Sequence, residues 1–420
     1  MKKIAIIAFI LLSYTGVSLG TIGKAMLTPY HVMMGALIAI FIFYRKKEYI
    51  HIFVSLLVLL FYVCLVNFLN YPDFKFTSLI YTLTFGIELI VLYNLIRDCA
   101  PDRIRKAFQF ILLSYGINIV AGFVVLSAGL GHSFLQNIFG IAHPESGGSR
   151  PMGFSSEPSY ASFIISIAHL CYSHLNGHRF DLPSLRISGL YVVSSLLLGS
   201  AYGLLFLLIN ILDWTQVYYK KMRVRSKRMF SIICVGLALV GGNLVSKVED
   251  GPVERITNLV EIFQKNRAVG PREMLDKLKT KDPSAFARIG PTYLLFNSDR
   301  LDDFNIVLGA GAGTAGIIIP QFLQGSLIDE DDDVLDVGVV PAFIFDYGLI
   351  GFALFILFLI NCFTKLPFPF WLSMILILPN ANINTQLFWY GIASLLIISI
   401  IKTSAIRDAA MQNRLQNTLR

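Results

Sequence analysis

Residues 337–364 read VGVVPAFIFDYGLIGFALFILFLINCFT, 28 positions with one charged side chain, Asp346. About 20 apolar residues in a helix cross the hydrocarbon core of a bilayer, so this run is long enough to span. Other apolar runs, separated by polar breaks, begin at Ile4, Tyr30, Ile50, Thr77, Ala107, Ser159, Ile187, Ala201, Phe230, Pro367 and Leu387. The 420 residues are 55% apolar or aromatic and 15% charged, with mean hydropathy +0.65, against about 25% charged in a soluble domain. The pattern predicts an all-α polytopic membrane protein with about 12 transmembrane helices, forming a single membrane domain over residues 1–420.

In a soluble protein the net charge of +8 would raise the question of nucleic acid; here the charge sorts by side of the membrane, and the expected partner is the lipid bilayer, with no nucleic acid. If Met1 starts in the cytoplasm, 22 of the 35 Lys+Arg fall in cytoplasmic segments. Of the remaining 13, ten lie in one loop from Lys247 to Asp336, where length weakens the positive-inside rule. Both termini are therefore expected in the cytoplasm. Ile187 to Leu212 resembles one long helix, but basic segments on both sides of it call for a hairpin turning at Gly199–Gly203. Pro367 to Ile401 forms a second such pair, turning between Pro379 and Asn384. A count of ten spans with two re-entrant hairpins keeps the same orientation. Lys2-Lys3 before an apolar run also fits a secretory signal, but Ser18-Leu19-Gly20 is a poor cleavage site, and an uncleaved first helix is expected. None of the five cysteines falls in an outer loop and no Cys-x-x-Cys occurs, which supports neither a disulfide framework nor a zinc site.

Two outer loops are long enough to carry chemistry, residues 131–158 and 247–336. The first ends Ser149-Arg150-Pro151-Met152-Gly153-Phe154-Ser155-Ser156-Glu157-Pro158-Ser159, placing Arg150 and Glu157 at the lip of a helix. Pro158 suits a first helical position and Glu157 the first turn, where a carboxylate is favoured; a capped helix with an interfacial Arg–Glu pair reads the same residues without chemistry. The second loop holds Arg255, Arg267, Arg272, Arg288 and Arg300. Guanidinium grips phosphate oxygens in bidentate geometry, while a solvated loop or one drawn to anionic headgroups is the plainer alternative. Gly309, Gly311 and Gly313 mimic a dinucleotide turn without its βαβ unit. They read either as a turn offering amides to phosphate or as packing against the membrane domain. Asp329 to Asp333 reads as a solvated acidic patch, and His132 and His143 as structural. His174 and His178 are four apart, but Asn176-Gly177 breaks any helix between them, so no shared metal is expected. Glu88 and Asp346 are ionisable groups within spans, where such groups are costly.

Arg150-x-x-Gly153-x-x-x-Glu157-Pro158-Ser159-x-x-Ala161 resembles the signature before a central helix in bacterial O-antigen polymerases, the Wzy family. Arg288 some twenty residues before Gly309-x-Gly311-x-Gly313, and Gly348-Leu349-Ile350-Gly351, are similar to that family's second-loop arginine, glycine turn and next helix. The related O-antigen ligases carry a His-Asn pair where this chain has Asp336-Val337-Gly338. The resemblance implies a metal-independent glycosyltransferase with no cofactor, in the bacterial inner membrane with its site facing the periplasm. It would move a growing glycan from undecaprenyl diphosphate onto a new lipid-linked repeat unit, alongside a co-polymerase that sets chain length. On that resemblance Arg150 and Arg288 bind diphosphate and Glu157 takes the acceptor proton or orients the acceptor sugar. Arg272, Asp336 and the glycines 309, 311 and 313 are the further substrate-binding candidates. A ligase, another lipid-linked glycosyltransferase or a lipid-linked oligosaccharide flippase are the competing functions.

Overall fold

The computed structural model describes residues 2–22, 25–43, 50–70, 74–97, 99–128, 151–155, 157–179, 181–221, 260–264, 270–281, 286, 290, 291, 293, 305–316, 338–363, 366–378, 381 and 385–401. These form α1 (Lys2–Leu12), a hairpin of β1 (Gly20–Ile22) and β2 (Ala25–Leu27), α2 (Pro29–Phe43), α3 (Ile50–Leu69), α4 (Phe76–Arg97), α5 (Pro101–Ser127) and α6 (Pro158–Leu175). Next come α7 (Leu182–Leu197), α8 (Ala201–Lys221), α9 (Pro271–Lys281), α10 (Val339–Phe363), α11 (Phe368–Ile377) and α12 (Gln386–Ile401). Every apolar run read from the sequence is a helix, except the one from Phe230, which lies outside the described residues. Three of the described helices, α4, α5 and α10, are long and apolar enough to cross a membrane by length and composition. The antiparallel hairpin, with Gly20 opposite Leu27, departs from the all-helical expectation; its strands are too short to show an alternating pattern.

Local chemistry sets the helix boundaries. Proline opens α2, α5 and α6, where its missing N–H costs nothing and its φ is already helical. Asp181 caps α7, accepting the Ser184 amide at 3.0 Å, and the Ser184 hydroxyl and amide together hold its carboxyl below the usual carboxylate range. Between α7 and α8, Gly199 takes φ 57, a left-handed turn that lets two short helices follow the charge pattern instead of one long one.

The core is one cluster built around α6, which buries both faces from Ala161 to Ser173. Phe9 of α1 meets Phe108 edge-on at 5.2 Å and stacks with Tyr390 of α12 at 5.9 Å. Phe163 of α6 reaches Phe206 of α8 at 5.4 Å. A side chain at Gly203 would come within 2.8 Å of Ser162 Oγ, so α6 and α8 approach closely only because Gly203 has none.

The run that opens the sequence reading is not one straight span. At Gly348 the backbone leaves the helix, with φ 68 and ψ −176, and the two halves of α10 fold toward each other. Phe343 stacks on Phe355 at 4.8 Å, whereas twelve residues in a straight helix rise about 18 Å. A Cβ at Gly348 would lie 2.2 Å from the Val307 carbonyl oxygen. Gly348→Ala should therefore unfold several degrees below the parent in a thermal scan of the detergent-purified protein, because both φ and space forbid the new side chain. Gly189→Ala in α7, where a Cβ meets nothing within 4 Å, should hold or slightly raise stability, by roughly 0.5–1 kcal/mol at most.

Candidate functional site

Residues 305–316 form a strap that enters the break in α10. In a continuous helix the Leu349 amide would bond the Phe345 carbonyl and the Ile350 amide the Asp346 carbonyl. Instead the Leu349 and Ile350 amides donate to the carbonyls of Ile306 and Val307, at 2.8 and 3.2 Å. The carbonyls of Phe345 and Asp346 accept the amides of Ala310 and Gly311, at 3.0 and 2.8 Å. The strap thus replaces each missing helical bond by a pair of its own, with Phe345, Asp346 and Gly311 buried and Val307, Leu349 and Ile350 on the apolar outer surface, where an unpaired peptide group is costly in lipid.

The Asp346 carboxylate fixes the rest of the strap. It accepts the Gly313 amide at 2.8 Å, the Ala315 amide at 2.8 Å and the Thr314 hydroxyl at 3.1 Å. Asn67, at the end of α3, accepts the Ala312 amide at 2.8 Å, and the Lys75 amide donates back to the Ala312 carbonyl at 2.8 Å. Tyr62 donates to the carbonyls of Tyr347 and Leu308 at 3.1 and 3.3 Å. The glycines that read as phosphate binders therefore have their amides engaged inside the protein: Gly309 on Asn305, Gly311 on the Asp346 carbonyl and Gly313 on the Asp346 carboxylate. What they leave exposed is the surface beside Lys75, an exposed cation whose side chain lies over Gly313 and Gly316.

A chain of contacts places the start of α6 at the same end of the bundle as the strap. From Lys75 at the mouth of α4, Tyr81 and Phe85 lead to His31, with ring centroids 6.1 Å away in each case. His31 Nδ1 meets the Thr28 hydroxyl at 2.8 Å, and Thr28 donates to Gln386 at 2.9 Å. Gln386 donates to the carbonyls of Leu11 and Leu12 at 3.1 and 3.0 Å, and Tyr14 packs on Phe154 at 4.8 Å. Three residues on stands Glu157, at the N-cap of α6 with extended backbone. Its carboxylate caps no amide of the helix and accepts the Ser159 hydroxyl at 2.8 Å; Arg150, the other half of the capped-helix alternative, lies outside the described residues. Gly153, at φ 64, sets the approach to this corner, since a Cβ there would meet Tyr115 at 2.9 Å.

Of the other sequence candidates, Arg150, Arg288 and Asp336 lie outside the described residues, as do His132, His143 and the acidic run 329–333. Arg272 falls in the first turn of α9. The structure therefore brings together the glycine strap, Asp346 and Lys75, and places Glu157 at the same end. Glu88 is buried within α4 and is met by the Tyr30 hydroxyl, with Oε2 unpartnered among the described residues. Asn67 and Lys75 gave no sequence signal, because a single Asn near a helix end and a single Lys after it are ordinary. No family profile, curated protein or solved structure matches the chain.

Asp346→Asn separates a clasp from a catalytic base. The amide could accept at Oδ1 only, and its Nδ2 would face an N–H donor, leaving a buried amide unsatisfied at a cost of about 1–3 kcal/mol. The variant should unfold earlier and accumulate less in the membrane; normal thermal stability with lost activity would instead make Asp346 a reacting group.

Proposed function

We propose that this protein is a lipid-linked glycosyltransferase of the O-antigen polymerase kind, extending a polysaccharide on the periplasmic face of a bacterial inner membrane. The observation that carries the reading is the placement of Glu157. It stands at the mouth of α6, a helix buried from Ala161 to Ser173, with no side-chain capping bond to that helix, at the end where the strap and Lys75 also lie. The opposite end collects Lys2, Lys3, Arg97, Arg103, Arg105 and Lys106, at the start of α1, the end of α4 and the start of α5. That asymmetry supports a cytoplasmic basic end and an outward-facing site.

The chemistry asked of the site is modest. A diphosphate leaving group is already a stable anion, so Arg150 and Arg288, with Lys75 as a further cation, stabilise it without an acid. The attacking sugar hydroxyl must lose a proton as the glycosidic bond forms, and Glu157 takes it. The undecaprenyl tail stays in lipid, and a chain-length-setting co-polymerase acts alongside. Topology with about 12 spans and both termini in the cytoplasm belongs to the same proposal. A discontinuous helix is also how many transporters hold a substrate, with the half-helix ends pointing at it. Here the strap fills the break, which favours scaffolding over transport.

Gene deletion followed by lipopolysaccharide electrophoresis tests the class of function. Loss of a polymerase leaves core plus one repeat unit, whereas loss of a ligase or flippase leaves core with no repeat unit. Complementation with Glu157→Gln should slow polymer growth by roughly 10²–10⁴-fold, the range for a positioned general base. Arg288→Lys should lose most activity despite keeping its charge, since an ammonium cannot reproduce the bidentate fork. A normal ladder from Glu157→Gln at limiting expression would remove Glu157 from the reaction.

A further inference from the structure

At the end of the bundle opposite the strap, three ionisable side chains meet in a buried cluster. Asp213 of α8 is 2% exposed, and its two carboxylate oxygens lie 2.9 Å from His174 Nε2 and 2.8 Å from His178 Nε2. The helix break at Asn176-Gly177 does not part the two histidines, as the spacing alone implies; it joins them. Gly177 at φ 65 and His178 at φ 53 turn the chain back on the end of α6, and the His178 amide donates to the Ser173 carbonyl at 2.9 Å. The imidazoles then sit edge to face with centroids 4.6 Å apart.

The surroundings hold this turn in place. Arg105 donates to Asn176 at 3.0 Å, Asn176 donates to Ser184, and the Tyr218 hydroxyl donates to the His178 carbonyl. His174 packs on Phe370 of α11. Among the described residues the Asp213 carboxylate has no Lys or Arg in ion-pair range. A carboxylate this deep needs a counter-charge, and the groups offered to it are two imidazoles. His169, one turn earlier on α6, is the contrast: its ring nitrogens meet the neutral Asn210 at 2.8 Å and Ser188 at 3.0 Å, a satisfied core histidine.

We propose that His174, His178 and Asp213 form a binding site for a divalent transition metal ion, with zinc the best match. The three donor atoms lie within 4.8 Å of one another, and two imidazole nitrogens with one carboxylate oxygen are a borderline donor set that favours zinc over magnesium or calcium. Tetrahedral zinc with bonds of about 2.0–2.1 Å sets its ligand atoms about 3.3 Å apart. The imidazoles now meet different oxygens of Asp213, at 2.9 and 2.8 Å, so ligation through one oxygen would open one separation by about half an ångström and draw the widest donor separation, within 4.8 Å, in to about 3.3 Å. Each Nε2 hydrogen directed at Asp213 gives way to the metal, a neutral ring moving its proton from Nε2 to Nδ1 and a charged ring keeping Nδ1–H and releasing the Nε2 proton to solvent. With three protein ligands, the site keeps a fourth position for water or an exogenous ligand. The ion would tie the C-terminal turn of α6 to α8 and takes no part in glycan transfer at the other end.

Tag-free full-length protein in detergent, stripped with EDTA, given one equivalent of zinc chloride and desalted, should retain about one zinc ion per chain by mass spectrometry of the elements. Its thermal midpoint should rise on zinc addition. Asp213→Asn, which can still accept a hydrogen bond from one imidazole, and His178→Gln should each lose most of the bound zinc and the thermal shift. Retention by the parent of less than about a tenth of an ion per chain, against the full equivalent a three-ligand site should hold, overturns the proposal. Equal retention by parent and variants overturns it as well, because the zinc is then bound elsewhere. Should either variant fail to accumulate, the stoichiometry of the parent and a tetrahedral cobalt(II) absorption spectrum decide.

Discussion

Two helical hydrogen bonds that α10 would make across Gly348 are absent, and a segment far outside that helix supplies their four replacements. Inside an apolar bundle an unpaired peptide group costs several kcal/mol, so the break exists only with the strap in it. The strap in turn holds its path through Asp346, Asn67, Tyr62 and the turn into α4. Strap and helix meet backbone to backbone: a Cβ at Gly309 would fall on the Gly348 amide, and one at Gly348 on the carbonyls of Val307 and Leu308. The fold of α10, the end of α3 and the mouth of α4 are therefore set together or not at all.

That mutual dependence gives one end of the bundle a rigid floor, and Glu157 rises from the same end at the head of α6. The other end is built differently, from basic helix termini and from a His-His-Asp cluster held by the turn after α6. Under the proposed function, the basic helix ends would fix the orientation at one end, and Glu157 would act on the acceptor at the other. The helix α6 connects the two, with Glu157 at its N-cap and His174 in its last turn.

Much of the architecture was legible because apolar run length is a strong signal. Most helix starts, the hairpin at Gly199 and the polar turn before Gln386 follow from hydropathy and charge, whereas α5 at Pro101 and α7 at Leu182 begin in the polar residues ahead of their apolar runs. The fold of α10 was not legible, since one glycine in an apolar run is common and only a φ of 68 makes it a break. The glycine strap was recognised as a tight turn, but its amides engage a carboxylate of the protein itself, a pairing between residues some thirty positions apart that spacing cannot show. The histidine cluster was missed for a related reason. Asn176-Gly177 correctly marks the end of a helix, yet whether the chain then departs or doubles back depends on the left-handed conformation of His178, and Asp213 is 35 residues further on. Glu157 was found where the motif put it; the motif could not say whether its side chain would cap the helix.

The insertion of the strap into α10 is tested most directly by hydrogen–deuterium exchange of the Gly309 to Ala315 amides in the purified protein. Those amides donate to buried groups of α3 and α10 and to the strap itself, so they should exchange as slowly as the helical amides of α3. Full exchange within seconds, at the rate of an unstructured outer loop, would mean that the strap does not occupy the break and that α10 is held by something else.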